Sequence, residues 1–508
     1  MQQSNSLVRY AWVALPFLLV GLALGQLLTW SALRLGTLLA TVTLVAAPFI
    51  LWLFFSEMRQ AVPGLAALKR AFQWWHGLWL LAFLSMLVFR VRGVGDIAEN
   101  PLDTWAMFRV AVEAIVALLL LLRLALRRTE WLGQMFRGLV GAMAVYGLVA
   151  VASTLWSVYP AWTFYKGVEF LTDIALLASI MASVDFAAEF KSLFEWTWLL
   201  YGLLLATVWV GVILWPQQAL YAKGFKIGVL GFRLEGVLPA VSSNDVGTFA
   251  AILAIIALAR LLPIDGPGSN RAWYGLLFAA SMVTMVFSQT RSALAGFLVA
   301  VFLLLYFSGR FAKGALMSVV VAPAIVLSTL GGLVWTFLQR GQTEAQIGTL
   351  SSRLDWWTFA WERFLERPLT GFGAYAAGRF AVLAKLGLSE TSTMHSDYLE
   401  VIVGTGVWGL VPLLVAIIGA WWYLARFLRS SSARGLEGQL AYEAIAVLGL
   451  LTVRSIFMTL LTWHAPLHFL AILGLAEYFR RQEIEEVSRV RATISSAHPV
   501  ANSPGIHP

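Results

Sequence analysis

The chain has 508 residues, of which 60% are hydrophobic and only 12% charged, and its mean hydropathy of +0.78 excludes a soluble globular protein of this length. Its 36 Lys and Arg against 27 Asp and Glu give a net charge of +9, which in so apolar a chain bears on membrane topology and anionic lipid, not on nucleic acid. The chain has no cysteine, so disulfides, thiolate catalysis and Cys-ligated metals are excluded.

Apolar runs of about 17 to 25 residues, long enough to cross the hydrocarbon core, predict an all-α polytopic membrane protein with about 12–14 transmembrane helices. They centre near Leu19, Val45, Leu81, Val116, Val145, Leu176, Ala206, Ile255, Val283, Val301, Val321, Leu413, Leu450 and Ile472. The first, from Tyr10 to Trp30, is longer than the apolar part of a signal peptide and reads as an uncleaved span. Many of the 23 Trp stand beside span ends, where an aromatic belt meets the lipid headgroups.

The polar breaks divide the chain into N-terminal transmembrane helices (1–215), a loop (216–243), central transmembrane helices (244–338), a large loop (339–396), C-terminal transmembrane helices (397–481) and a tail (482–508). The tail is Ser-, Pro- and charge-rich and is expected to be disordered. With the N-terminus cytoplasmic, one set of alternate loops is short and basic: Arg59 with Lys69 and Arg70, Arg123 with Arg127 and Arg128, Lys191, Arg260 with Arg271, Arg310 with Lys313, Arg426 with Arg429 and Arg434, and Arg480 with Arg481. The positive-inside rule then puts both termini in the cytoplasm and the two long loops on the far side.

Several polar residues converge on that far side. In the first long loop Arg233 precedes Glu235, and Ser242-Ser243-Asn244-Asp245 starts a helix. This is either a local ion pair with an N-cap or part of a cationic site. Arg291, in Ser288-Gln289-Thr290-Arg291-Ser292-Ala293, stands at the mouth of two helices. An arginine there either snorkels to headgroups or grips a lipid pyrophosphate with its planar fork.

The second long loop opens with Ser352-Arg353-Leu354-Asp355, a capping box. Leu354, Trp357, Trp361, Phe364 and Leu365 follow at helical spacing as far as Pro368. That predicts an interfacial amphipathic helix with Arg353 in its first turn, where backbone N–H groups also favour anions. The loop closes on His395-Ser396-Asp397-Tyr398. With an ordinary pKa near ~6.5, the His395 imidazole suits proton abstraction from a hydroxyl, and Tyr398 stands at i+3.

Deeper in the apolar runs, Lys166, Glu169 and Asp173 share one helical face and Arg454 interrupts another span, so a polar cavity is expected below the loop. Glu169 and Asp173 read best as a self-neutralising network. His76 reads as a packing residue, and His464 with His468 has metal-like spacing but no acidic partner on the far side, so no metal site is assigned. There is no P-loop, dinucleotide fingerprint, His-Glu-x-x-His or far-side Asp-x-Asp pair. A transferase here would stabilise its departing group with Arg or Lys and needs no cofactor. A secondary transporter, the reading from another class, would show inverted repeats and broken helices, whereas here the polar signal sits at one face.

Thr290-Arg291-Ser292-Ala293, the run Arg353…Trp357…Pro368…Gly371-Phe372-Gly373, and His395-Ser396-Asp397-Tyr398-Leu399-Glu400 together resemble the O-antigen ligase and polymerase superfamily, and most of all its O-antigen ligases. That resemblance spans roughly Arg233 to Leu413 and departs at Ser396, where the family usually has Asn. It implies a GT-C-like, metal-independent, inverting glycosyltransferase of the bacterial inner membrane with a periplasmic active site. Such an enzyme moves a polysaccharide from undecaprenyl pyrophosphate to lipid A-core. On this reading His395 is the catalytic base, Arg291, Arg353 and Arg233 bind the donor pyrophosphate, and Tyr398, Asn244 and Lys166 support them. The polymerases and pilin-directed oligosaccharyltransferases of the same superfamily use the same donor with another acceptor.

Overall fold

A computed structural model describes residues 73–88, 104–126, 130–184, 187–221, 230–262, 271–307, 353–388, 393–430, 435–463 and 465–497. Helices dominate. In chain order the main ones are α1 (Trp74–Met86), α2 (Thr104–Leu126), α3 (Gly138–Ala152), α4 (Pro160–Met181) and α5 (Ala187–Leu214). Then come α6 (Ser243–Leu261), α7 (Arg271–Ser288), α8 (Arg291–Phe307), α9 (Arg353–Glu366), α10 (Asp397–Arg429), α11 (Gly435–Phe457) and α12 (Leu467–Ala497). The described β-structure is one antiparallel ribbon between α5 and α6, with β1 (Leu220–Tyr221) paired to β2 (Arg233–Leu234), and an isolated bridge from Gly236 to Val241.

Every predicted span centre within the described residues falls in a helix, while Leu19, Val45 and Val321 lie outside them. Five described helices are long and apolar enough to cross a membrane: α3 with the turn after it to Trp156, α5, α6, α10 and α11. The chain is therefore an all-α polytopic membrane protein. The interior is built on α6 and α11, which are buried over most of their length because their residues are apolar all round.

Charged residues collect at both ends of the bundle. At one end the buried Glu477 accepts from the Leu139 N–H and pairs with Arg480 and Arg481, while Arg426 pairs with Glu483. The starts of α6, α8 and α10 and the end of α11 meet at the other. There Ala374 N–H donates to Ser153 Oγ and the Trp162 indole to the Tyr375 carbonyl, so the loop after α9 is fastened onto the junction of α3 and α4.

That loop is locked against a break in α10. Gly406 sits at φ 62°, in the left-handed region that favours glycine, and a Cβ there would lie 2.3 Å from the Leu369 carbonyl. The backbone groups released at the break pair with the loop: Val407 N–H donates to Pro368 O and Phe372 N–H to Val403 O, both at 2.9 Å. The predicted amphipathic helix forms as α9. Its Ala360 and Phe364 pack on Phe372, Leu383, Met394 and Val403, while Leu354, Trp361 and Leu365 remain exposed as a second apolar stripe. Ser352 of the predicted capping box lies outside the described residues.

One expectation fails. The tail from residue 482 does not begin as disorder, because α12 continues to Ala497. The stretch after Arg480 is rich in Arg and Glu, strong helix formers, with an Arg489–Glu485 pair one turn apart. Helix propensity outweighs the polar composition that suggested disorder.

Candidate functional site

The site is assembled at the end of the bundle where α6, α8, α9 and α10 begin and α11 ends. His395 is its centre. It has a left-handed backbone, φ 56°, which costs a non-glycine residue roughly 1–2 kcal/mol. Its neighbours hold it there. The Trp357 indole donates to the Met394 carbonyl at 3.1 Å, and Met394 N–H donates to Glu400 Oε1 at 2.5 Å. On the other side the Asp397 carboxylate accepts from the backbone N–H groups of Leu460, Leu461 and Thr462 and from Thr462 Oγ1, at 2.7 to 3.2 Å.

The His395 ring lies 6.3 Å from that of Trp356, and its Nδ1 is buried without a hydrogen-bond partner among the described residues. Burial, together with the charges of Arg353 and Arg454, pushes the imidazole down to about 3. At neutral pH it is uncharged and can accept a proton.

Arg353, the first residue of α9, donates to the Phe457 carbonyl at 3.2 Å and makes no ion pair among the described residues. Burial and the charge of Arg291 hold its pKa below the ordinary value, so the two guanidinium groups share one field although 62 positions separate them in the chain (353 − 291). Arg291 starts α8 and is half-buried. The turn before it is fixed by the Thr290 hydroxyl, which donates to the Ser243 carbonyl at 2.8 Å, and by Gln289, whose side-chain amide donates to Phe232 O.

Arg353 is thus within electrostatic reach of both His395 and Arg291. Tyr398 joins them from α10, its hydroxyl accepting from Ser455 Oγ at 3.0 Å. Asn244 contributes through its main chain: its carbonyl accepts from Arg454 Nη2 at 2.9 Å.

Two expected members stand apart. The Arg233 guanidinium is taken up by Glu235 at 2.8 Å and lies 4.8 Å over the Tyr221 ring, because the ribbon puts Tyr221 opposite Arg233. The local ion pair and the Ser242 N-cap, which accepts from Asp245 N–H at 3.2 Å, are the arrangement found here. Lys166 belongs to a separate buried cluster between α2 and α4, paired with Glu169, which Arg109 also approaches at 3.7 Å. One helical face carries both Lys166 and Glu169, so the lysine neutralises its own helix first.

His76 is a satisfied packing residue, whereas buried His468 is bonded through Nδ1 alone and its Nε2 has no hydrogen-bond partner among the described residues. His76 Nε2 bonds Ser192 Oγ at 3.0 Å and His468 Nδ1 bonds the Tyr201 hydroxyl at 2.7 Å; His464 lies outside the described residues. Sequence reasoning gave Asp397, Trp357 and Arg454 no role at this site. Arg454 had the clearest signal, as an arginine inside an apolar run.

A buried imidazole with Nδ1 unpartnered among the described residues, in the field of guanidinium groups of which Arg353 donates to a main-chain carbonyl, can accept a proton and attract an anion. Residues 276–414 match the family model described as O-antigen ligase. The match takes in Arg291, Arg353, His395 and Tyr398 and is consistent with an O-antigen ligase-family protein. It supports a function of the O-antigen ligase and polymerase kind, and so an enzyme. No curated protein matches the chain.

Proposed function

We propose that this chain, whose residues 276–414 match the family model described as O-antigen ligase, is an O-antigen ligase. It would transfer a polysaccharide from undecaprenyl pyrophosphate to a sugar hydroxyl of lipid A-core. His395 takes the proton of that hydroxyl as its oxygen attacks the anomeric carbon from the face opposite the leaving group. The bond from that carbon to the pyrophosphate oxygen breaks, its electron pair leaves with undecaprenyl pyrophosphate, and the configuration inverts. Arg291 and Arg353 bind the pyrophosphate and stabilise the charge that grows on it, as bidentate forks do for phosphate oxygens. Arginine compensation lets the reaction proceed without a metal ion or other cofactor.

The observation that carries this reading is the buried Nδ1 of His395, left without a partner among the described residues, with burial and the Arg353 charge keeping the imidazole uncharged. The polar end holding His395 faces the periplasm, and the end with Arg426, Arg480 and Arg481 faces the cytoplasm of the inner membrane, in keeping with the positive-inside rule. Membrane lipids surround the bundle and nucleic acid plays no part. Asn244 and Tyr398 support the donor site through the elements they brace, whereas Arg233 and Lys166 act outside it.

The test is transfer by purified protein in lipid from a defined undecaprenyl-pyrophosphate-linked glycan, with three acceptors offered in parallel. Product on lipid A-core supports the ligase. Product only on a second lipid-linked chain makes the protein a polymerase, and product only on a pilin peptide makes it an oligosaccharyltransferase.

A further inference from the structure

The helix pair α6 and α11 holds a buried arginine at each end, and the two are treated differently. At the end away from His395, Arg260 of α6 is matched by Glu443 of α11 at 2.7 Å and by Glu195 of α5 at 2.7 Å, with the Tyr274 hydroxyl accepting at 3.0 Å. At the other end Arg454 of α11 is 1% exposed, yet every partner it has is neutral. Nε and Nη2 donate to Thr248 Oγ1 at 3.1 and 2.6 Å, Nη2 also donates to the Asn244 carbonyl at 2.9 Å and to Met458 Sδ at 3.3 Å, and Nη1 donates to Ser292 Oγ.

The carboxylates at this end of the bundle are committed elsewhere. Asp245 acts on Arg454 only through its field and accepts from Ser242 Oγ at 2.8 Å. Asp397 is filled by the loop 460–462 and Glu400 by Met394 N–H. A buried arginine that only pinned two helices together would be served better by a carboxylate, as Arg260 is. Leaving the charge uncompensated costs desolvation free energy unless something at the site uses it.

The position of Ser292 shows what that use is. It follows Arg291 directly in the first turn of α8, so the Arg454 fork fastens the base of Arg291 to the start of α6. We infer that Arg454 is a positioning residue for the anionic donor: it sets the place of Arg291 through Ser292 and supplies the site with a second buried positive charge beside that of Arg353. It touches no reacting atom. His395 stands two residues before α10, its ring 6.3 Å from that of Trp356, and the charges that act on it are Arg353 from α9 and Arg454 from α11. The nearest carboxylates in the chain, Asp397 and Glu400, are bonded to the loop 460–462 and to Met394 N–H. Removing the Arg454 charge therefore eases protonation of His395.

This inference rests on the donor site proposed above, and the test separates the two. The probe is an undecaprenyl-pyrophosphate-linked glycan, with its dissociation constant and the acid limb of kcat/KM measured in lipid nanodiscs. Arg454→Gln is expected to weaken donor binding about tenfold and to move the acid limb up by about one pH unit. Arg454→Lys keeps the charge but loses the fork, and is expected to weaken binding without moving the limb. In an Arg291→Gln background, Arg454→Gln should cost less binding than it does alone, because the part of its effect that passes through Arg291 is already lost.

Full additivity with Arg291→Gln, or an unchanged dissociation constant in Arg454→Gln, overturns the inference. Where the Arg454 variants do not yield folded protein, Ser292→Ala decides. Weaker donor binding with the limb unmoved supports the link, and wild-type binding overturns it. Wild-type transfer by His395→Ala and Arg291→Gln would instead mean that the donor-site reading itself is wrong.

Discussion

Trp357 donates its indole N–H to the carbonyl of Met394, 3.1 Å away, so α9 holds by its main chain the residue immediately before His395. A left-handed histidine reverts to a commoner backbone unless something holds it, and this bond is one of the holds. Trp357→Phe keeps the ring and deletes the donor. It is expected to lower the transfer rate roughly tenfold, the scale of one lost buried hydrogen bond, with the melting temperature nearly unchanged. Wild-type turnover in that variant would show that His395 does not depend on α9.

The acidity of His395 gives a second outcome. An exposed base titrating near ~6.5 would make kcat/KM fall below neutrality. Here burial and two arginine charges push the imidazole down to about 3. Its proton-accepting form is present above that value and is lost only as pH falls through it. The profile of kcat/KM, which reports the free enzyme, is expected to stay flat on the acid side of neutrality, and a limb between pH 6 and 7 that disappears in His395→Gln would contradict this.

The arginines are expected to divide by their partners. Arg291→Lys and Arg353→Lys should each lose most transfer, since an ammonium does not reproduce the planar fork. Arg233→Ala should lose little, because its guanidinium is already engaged by Glu235 and Tyr221. Equal losses at all three positions, measured by product formation at matched protein levels, would restore Arg233 to the donor site.

Hydropathy made the class and the described spans legible, and α9 was legible from the spacing of Trp357, Phe364 and Pro368. His395, Arg291 and Arg353 stood out because polar residues at the edge of so apolar a chain are few. The partners of Arg233 were harder to read. Its fate depends on a two-residue ribbon that puts Tyr221 beside it, a pairing across a loop that no local pattern announces. Arg454 was visible as an oddity, but its attachment to Thr248 and Ser292 joins positions far apart in the chain. The break in α10 was likewise hidden, since a glycine inside an apolar run reads as ordinary helix until the loop at Leu369 is seen against it.

That break gives a stability outcome. Gly406→Ala would force a side chain into the left-handed region and onto the Leu369 carbonyl. It is expected to cost at least about 1–2 kcal/mol and to lower the melting temperature in detergent. An unchanged melting temperature would mean that the loop does not lock into α10.

The most direct measurement is glycan transfer by purified protein in lipid, from an undecaprenyl-pyrophosphate-linked donor to lipid A-core in the presence of a metal chelator, comparing the wild-type chain with His395→Ala. Product from the wild type at an undiminished rate, and none from the variant although it binds donor, is the expected result. Transfer by His395→Ala at the wild-type rate, or loss of wild-type activity on chelation, would contradict a neutral imidazole and an arginine pair as the machinery of the reaction.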